Sequence, residues 1–175
     1  MKKAIIVVDM INDFVTGKLG SPGARKIVAN IAALLKKGRK LGIPVIYLRD
    51  SHNESDREIK IWGEHAMRNT PGSEIIPELK PEIKDIVIEK TWYSGFVDTI
   101  LPEVLRKLDV DTIIFTGVNT DICVQNNVGD AYFAGYKTIV PGDCTASLNE
   151  ADYDQALKYM KTIYGTEILS SEKVI

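Results

Sequence analysis

Short apolar runs alternate with longer amphipathic stretches along the whole chain. "AIIVV" (4–8), "PVIYL" (44–48), "DIVIE" (85–89), "TIIFT" (112–116) and "KTIVP" (137–141) have the length and β-branched content of buried strands. Between them, "ARKIVANIAALLKKGRKLG" repeats Ile27, Ile31, Leu34 and Leu35 at helical spacing. "VDTILPEVLRKL", "DICVQNNVGDAYFAGY" and "ADYDQALKYMKTIYG" read as further helices. Pro102 falls in a first turn, where a missing N–H costs little, and Gly42, Gly135 and Gly165 fall at expected C-caps. This alternation predicts an α/β fold of three layers, α/β/α, around a mostly parallel, doubly wound sheet of about six strands.

Residues 50–79 break the rhythm: they are polar, contain Gly and Pro, and lack a period. Loops of this length inside a compact domain are usually functional. No repeat or linker interrupts the chain, so the expectation is a single domain, 1–175, with one elaborated loop at 50–79.

Composition narrows the partners. A net charge of −2, with 45% hydrophobic and 26% charged residues, carries no nucleic-acid footprint and no basic membrane surface. No apolar run approaches the roughly 20 residues that span a bilayer. "MKKAIIVVDM" lacks a cleavage-site pattern and reads as a first strand. The two cysteines, Cys123 and Cys144, show no close pairing, which points to a reducing cytoplasm; a single bridge between them stays open.

In open parallel sheets, ligands bind beyond the carboxyl ends of the strands. Asp9 follows the first run, Arg49 and Asp50 the second, Lys90 the third, and "GVNTDIC" the fourth. One polar residue there is an ordinary strand exit, but acids, an amine and a thiol on one edge suggest chemistry. Thr120 or Asp121 is placed to cap a helix whose first turn holds Cys123, and a helix N-terminus beside Lys90 favours the thiolate. Asp9 is placed to take the thiol proton and return it to a leaving amine. Cys144, in "PGDCTASL", reads as an inert core thiol. "RDSH" puts Asp50 and His52 on one side of an extended chain, and "WGEH" adds His65. Asp, His and His suit Zn²⁺, Fe²⁺ or Mn²⁺, although D-x-H alone also fits ordinary hydrogen-bonded histidines.

Five segments, "IVVDMINDF", "RDSH", "WGEHAMRNTPGSE", "EKTWYSGF" and "GVNTDICVQNNVGDAYFAGY", together resemble the isochorismatase-like cysteine hydrolases, and within them the nicotinamidase/pyrazinamidase branch. The resemblance implies the isochorismatase-like hydrolase fold, with Cys123 as nucleophile, Asp9 as general base and Lys90 as its charged partner. It implies a cis peptide between Val118 and Asn119, and an oxyanion held by the backbone N–H groups of Asn119 and Cys123. Phe14, Trp62 and Tyr93 match aromatic pocket-wall positions, Asn119 would enter the pocket, and Trp62 equally suits plain core. Asp50, His52 and His65 coincide with metal ligands, implying one divalent ion, zinc first with iron or manganese as alternatives, and no organic cofactor.

The activity so implied is hydrolysis of a small primary amide, nicotinamide to nicotinic acid, in NAD salvage by a cytoplasmic homo-oligomer. Asn119 stands where nicotinamidases generally have a small residue. The short spacing between D-x-H and W-x-x-H, with "IWGEHAM", also resembles archaeal proteins related to N-carbamoylsarcosine amidase. A ureido amidohydrolase with the same triad is therefore one alternative, and a non-catalytic metabolite-binding member of the fold is another.

Overall fold

The first apolar run is covered on both sides: Ile5 and Val7 pack toward one helical layer, and Ala4, Ile6 and Val8 toward the other. That demand for two apolar faces is met by a three-layer arrangement. The computed structural model describes residues 2–175. In chain order it contains β1 (Lys3–Val8), α1 (Asn12–Val15), α2 (Pro22–Lys40), β2 (Val45–Asp50), α3 (Arg57–Trp62) and β3 (Ile86–Lys90). These are followed by α4 (Leu101–Lys107), β4 (Thr112–Val118), α5 (Gln125–Phe133), β5 (Lys137–Pro141), β6 (Thr145–Ala146), α6 (Glu150–Tyr164) and β7 (Glu167–Leu169).

The sheet runs β3-β2-β1-β4-β5-β7 with every neighbouring pair parallel, and the two-residue β6 adds a seventh strand against the end of β4. One face is covered by α2, through Ile27, Ile31, Leu34 and Leu35. The other is covered by α4, α5 and α6, through Leu101, Leu105, Val128, Ala131, Ala156 and Met160. Ser21 caps α2 by accepting from the Ala24 N–H at 3.0 Å, and Asn149 caps α6 by accepting from the Asp152 N–H at 2.9 Å. Gly42, Gly135 and Gly165 all have positive φ where the sequence places helix ends. Among the described residues, no helix is long and apolar enough to cross a membrane.

Three strands extend past the apolar runs that announce them. β2 continues through Arg49 and Asp50, β3 through Lys90, and β4 through Val118. Asp50 and Lys90 are thus register partners at the ends of neighbouring strands, because backbone pairing continues after side-chain hydrophobicity has stopped. β3 is an edge strand with Val87 and Glu89 exposed, so "DIVIE" is not buried on both faces as expected. The helix expected from residue 97 begins at Leu101, after a series of turns. Both cysteines are free thiols.

Strand order reverses between β1 and β4, which leaves a crevice beyond their carboxyl ends. At Gly117 of β4 φ is +104°, and an added Cβ would lie 1.9 Å from the Val8 carbonyl oxygen of β1. Only glycine fits there. Gly117→Ala should therefore lower stability by roughly 3 kcal/mol or more. Urea unfolding tests this, and a midpoint equal to that of the unmodified protein would contradict the close approach.

Candidate active site

Asp9 leaves β1 in a left-handed conformation, φ +52°, uncommon for a residue with a Cβ. Its side chain is completely buried at the strand-order reversal, beside the ends of β2 and β3. Lys90 reaches into the same space from β3. Its Nζ lies 2.8 Å from Asp9 Oδ2 and 2.5 Å from Asp50 Oδ1. Asp9 Oδ2 is ion-paired with Lys90 and has no further hydrogen-bond donor. Asp9 Oδ1 accepts from the Asp50 N–H at 2.8 Å. Cys123 Sγ is 3.9 Å from Lys90 Nζ, and one oxygen each of Asp9 and Asp50 lies with Sγ in a group spanning no more than 4.8 Å.

Burial and neighbouring charge set the protonation of this cluster. Burial raises the Asp9 pKa, the charge of Asp50 adds to it, and Lys90 opposes both, leaving Asp9 at about 6. Burial works against the Lys90 ammonium, but Asp50 and Asp9 outweigh it and hold the amine charged. Burial also opposes the Asp50 carboxylate, and Lys90 overcomes it, so that Asp50 stays ionised. The Cys123 thiol is pushed well above its ordinary value by burial, with Lys90 pulling the other way. Desolvation in this dry pocket thus opposes the thiolate that the Lys90 ammonium favours.

The turn bearing Cys123 also departs from expectation. Thr120–Val124 forms a π-helical turn, in which the Val124 N–H bonds to the Asn119 carbonyl at 3.1 Å. Neither Thr120 nor Asp121 caps it; Asn119 occupies the N-cap position and makes no side-chain cap bond. The peptide between Val118 and Asn119 is cis.

Cys123 lines a narrow, partly open cavity with about 20 Å³ of free space. Phe14, Leu19, Trp62, Tyr93, Ile122 and Leu148 supply apolar walls; Asp50, Glu58, His65, Asn119 and Cys123 supply the polar lining. Trp62 is 38% exposed and donates from Nε1 to the Tyr93 hydroxyl at 3.0 Å, so it is a wall residue and not plain core.

Asp50, His52 and His65 meet at one side of the cavity, joined by a fourth donor, Glu58 of α3. One ligand atom from each of the four falls in a group spanning no more than 4.8 Å. His52 Nδ1 faces Asp56 Oδ2 at 3.2 Å and His65 Nδ1 faces the Gly63 carbonyl at 2.7 Å, which leaves both Nε2 atoms turned to the cluster. Asp50 Oδ2, His52 Nε2 and Glu58 Oε1 are buried without hydrogen-bond partners. Three such atoms side by side are costly alone and are satisfied together by a cation, and the mixed oxygen and imidazole set suits Zn²⁺, Fe²⁺ or Mn²⁺. Burial, then the charge of Asp50, raises the Glu58 pKa to about 8. Sequence reasoning passed over Glu58 because "REIKIW" looks like solvated loop. Its signal was available only as an acid one helical turn before Trp62.

The isochorismatase domain family model matches residues 3–173. N-carbamoylsarcosine amidase from Thermoplasma acidophilum is 38% identical, with a TM-score of 0.94 over 99% of both chains. Nicotinamidase PncA from Bacillus subtilis is 30% identical, with a TM-score of 0.92 over 97% of this chain and 100% of that one. Pyrazinamidase of Pyrococcus horikoshii, solved in complex with zinc, is 29% identical, with a TM-score of 0.90 over 97% of this chain and 99% of that one.

The four-donor cluster makes a direct prediction. Metal-stripped protein titrated with Zn²⁺ should bind one ion per chain, and Glu58→Gln should weaken that affinity by about tenfold or more. Calorimetry reads this out; unchanged affinity in the variant would remove Glu58 from the ligand set.

Proposed function

This chain belongs to the isochorismatase family, and on that premise we propose that it is a cysteine-dependent amidohydrolase releasing ammonia from a small primary amide, nicotinamide first. The observation that carries this reading is the position of Cys123 in the cavity lining, with Asp9 and Lys90 gathered beneath it.

Asp9, ion-paired with Lys90 and with a pKa of about 6, is matched to a proton it must both accept and return near neutrality. In the first step the Sγ proton passes to Asp9 as sulfur attacks the amide carbonyl carbon. The carbonyl oxygen gains the negative charge and rests on the N–H groups of Asn119 and Cys123; donors of this kind contribute roughly 3–4 kcal/mol in the transition state. The C–N bond then breaks, and the nitrogen leaves as ammonia with the proton from Asp9. Asp9 next takes a proton from water as its oxygen adds to the thioester carbon. The C–S bond breaks, the acid departs, and the proton returns to sulfur. Lys90 stays charged throughout and keeps Asp9 from rising beyond the range in which it can act as a base.

Asp50, His52, Glu58 and His65 would hold the divalent ion, zinc first, which supplies a positive charge able to bind a ring nitrogen and withdraw electron density from the amide. Asp50 serves both clusters, with one oxygen on Lys90 and the other 3.6 Å from His52 Nε2. Flat aromatic walls at Phe14, Trp62 and Tyr93 favour a ring. Hydrolysis of ureido compounds is the second reading, favoured by the 38% identity to N-carbamoylsarcosine amidase and by the Asn119 amide in the cavity.

Ammonia release measured side by side from nicotinamide and N-carbamoylsarcosine separates these substrates, with nicotinamide expected to turn over faster. Cys123→Ala should abolish release from whichever is used, by a factor of about 10⁴ or more, while thermal unfolding stays close to that of the unmodified chain. Undiminished release in that variant would end the nucleophile assignment.

A further inference from the structure

Asn127 lies one helical turn beyond Cys123 in α5 and is completely buried. Its Nδ2 donates to the Cys123 carbonyl at 2.8 Å and to the Tyr93 carbonyl at 3.1 Å, while its Oδ1 accepts from the Gly95 N–H at 2.9 Å. These partners fix the orientation of the amide, since both carbonyls can only accept and the N–H can only donate. One side chain therefore joins two segments that the sequence keeps far apart: the turn presenting the sulfur, and the loop after β3 whose Tyr93 walls the cavity and bonds Trp62. A buried amide with both N–H groups and its oxygen engaged has one stable placement, and it transmits that placement to whatever it holds.

We propose that Asn127 is a positioning residue that sets the separation between the nucleophile turn and the aromatic wall. Its kinetic consequences rest on the amidohydrolase reading above. Through the Cys123 carbonyl it holds the sulfur over Asp9 and Lys90, and through Tyr93 and Gly95 it holds the face on which the substrate ring lies. The two tasks are separable by substitution. Alanine removes all three bonds. Threonine at a helical position can bond the carbonyl four residues back, which here is that of Cys123, and it releases the Tyr93 and Gly95 segment.

The test compares Asn127→Ala, Asn127→Thr and a control, Thr166→Val, which removes the buried Thr138–Thr166 hydroxyl pair outside the cavity lining. Hydrogen exchange is followed over residues 119–124 and 92–96, alongside kcat and KM for ammonia release. Asn127→Ala should speed exchange in both segments, raise KM, and lower kcat by about ten- to a hundredfold. Asn127→Thr should restore protection at 119–124 and bring kcat back toward the unmodified value, while 92–96 stays exposed to exchange and KM stays high. Thr166→Val should lose stability without changing either segment or either constant. Should the alanine variant not fold, the threonine variant decides alone, because only a two-sided tether separates the segments and the constants in this way. Equal protection of both segments in the threonine variant, or a loss of stability with kcat and KM unchanged, overturns the proposal. Absence of ammonia release from the unmodified protein, with the exchange pattern as described, would reject the amidohydrolase reading and leave the tether standing.

Discussion

One buried ammonium organises this molecule. Lys90 is the charge that allows Asp9 and Asp50 to coexist without solvent, 2.8 and 2.5 Å away at the ends of three adjacent strands. Two carboxylates this close and this dry repel one another, and an interior charge without a partner is among the costliest features a fold can carry. Parallel pairing of β1, β2 and β3 solves the problem geometrically by ending all three strands at one edge. The arrangement leaves the carboxylates unequal: Asp50 is held ionised, and Asp9 is raised to about 6. That difference is what general acid–base chemistry needs from a pair of acids.

The same cluster sets opposing influences on the sulfur. Burial favours the Cys123 thiol, Lys90 favours the thiolate, and the Asp9 carboxylate is close by. Asp50 also lies beside His52 and Glu58, so the two halves of the site share one carboxylate.

Much of the fold was legible because apolar runs and helical spacing report burial directly. The five runs overlap β1 to β5, and the four long amphipathic stretches overlap α2, α4, α5 and α6. Strand ends were less visible, since Asp50 and Lys90 continue the backbone ladder without apolar side chains. β6 and β7 are two and three residues long, too short for any period to register. In the site, Asp9, Lys90 and Cys123 were legible as polar exits from strands, and Asp50, His52 and His65 as scarce ligand types in an aperiodic loop. Glu58 was not, because an acid in a charged hexapeptide carries no mark until α3 turns it inward. Asn127 was hidden for a related reason: its three partners are backbone atoms, and backbone atoms leave no trace in a sequence. The burial that weighs on the thiol was not legible, because helix position is local whereas desolvation depends on everything packed around the turn.

The most direct measurement is rapid acid quench of the protein mixed with nicotinamide, followed by peptide mass spectrometry. The account predicts a transient nicotinoyl adduct on the peptide containing Cys123, formed before the first full turnover and absent from the peptide containing Cys144. Steady ammonia release with no acylated Cys123 at any quench time would contradict it.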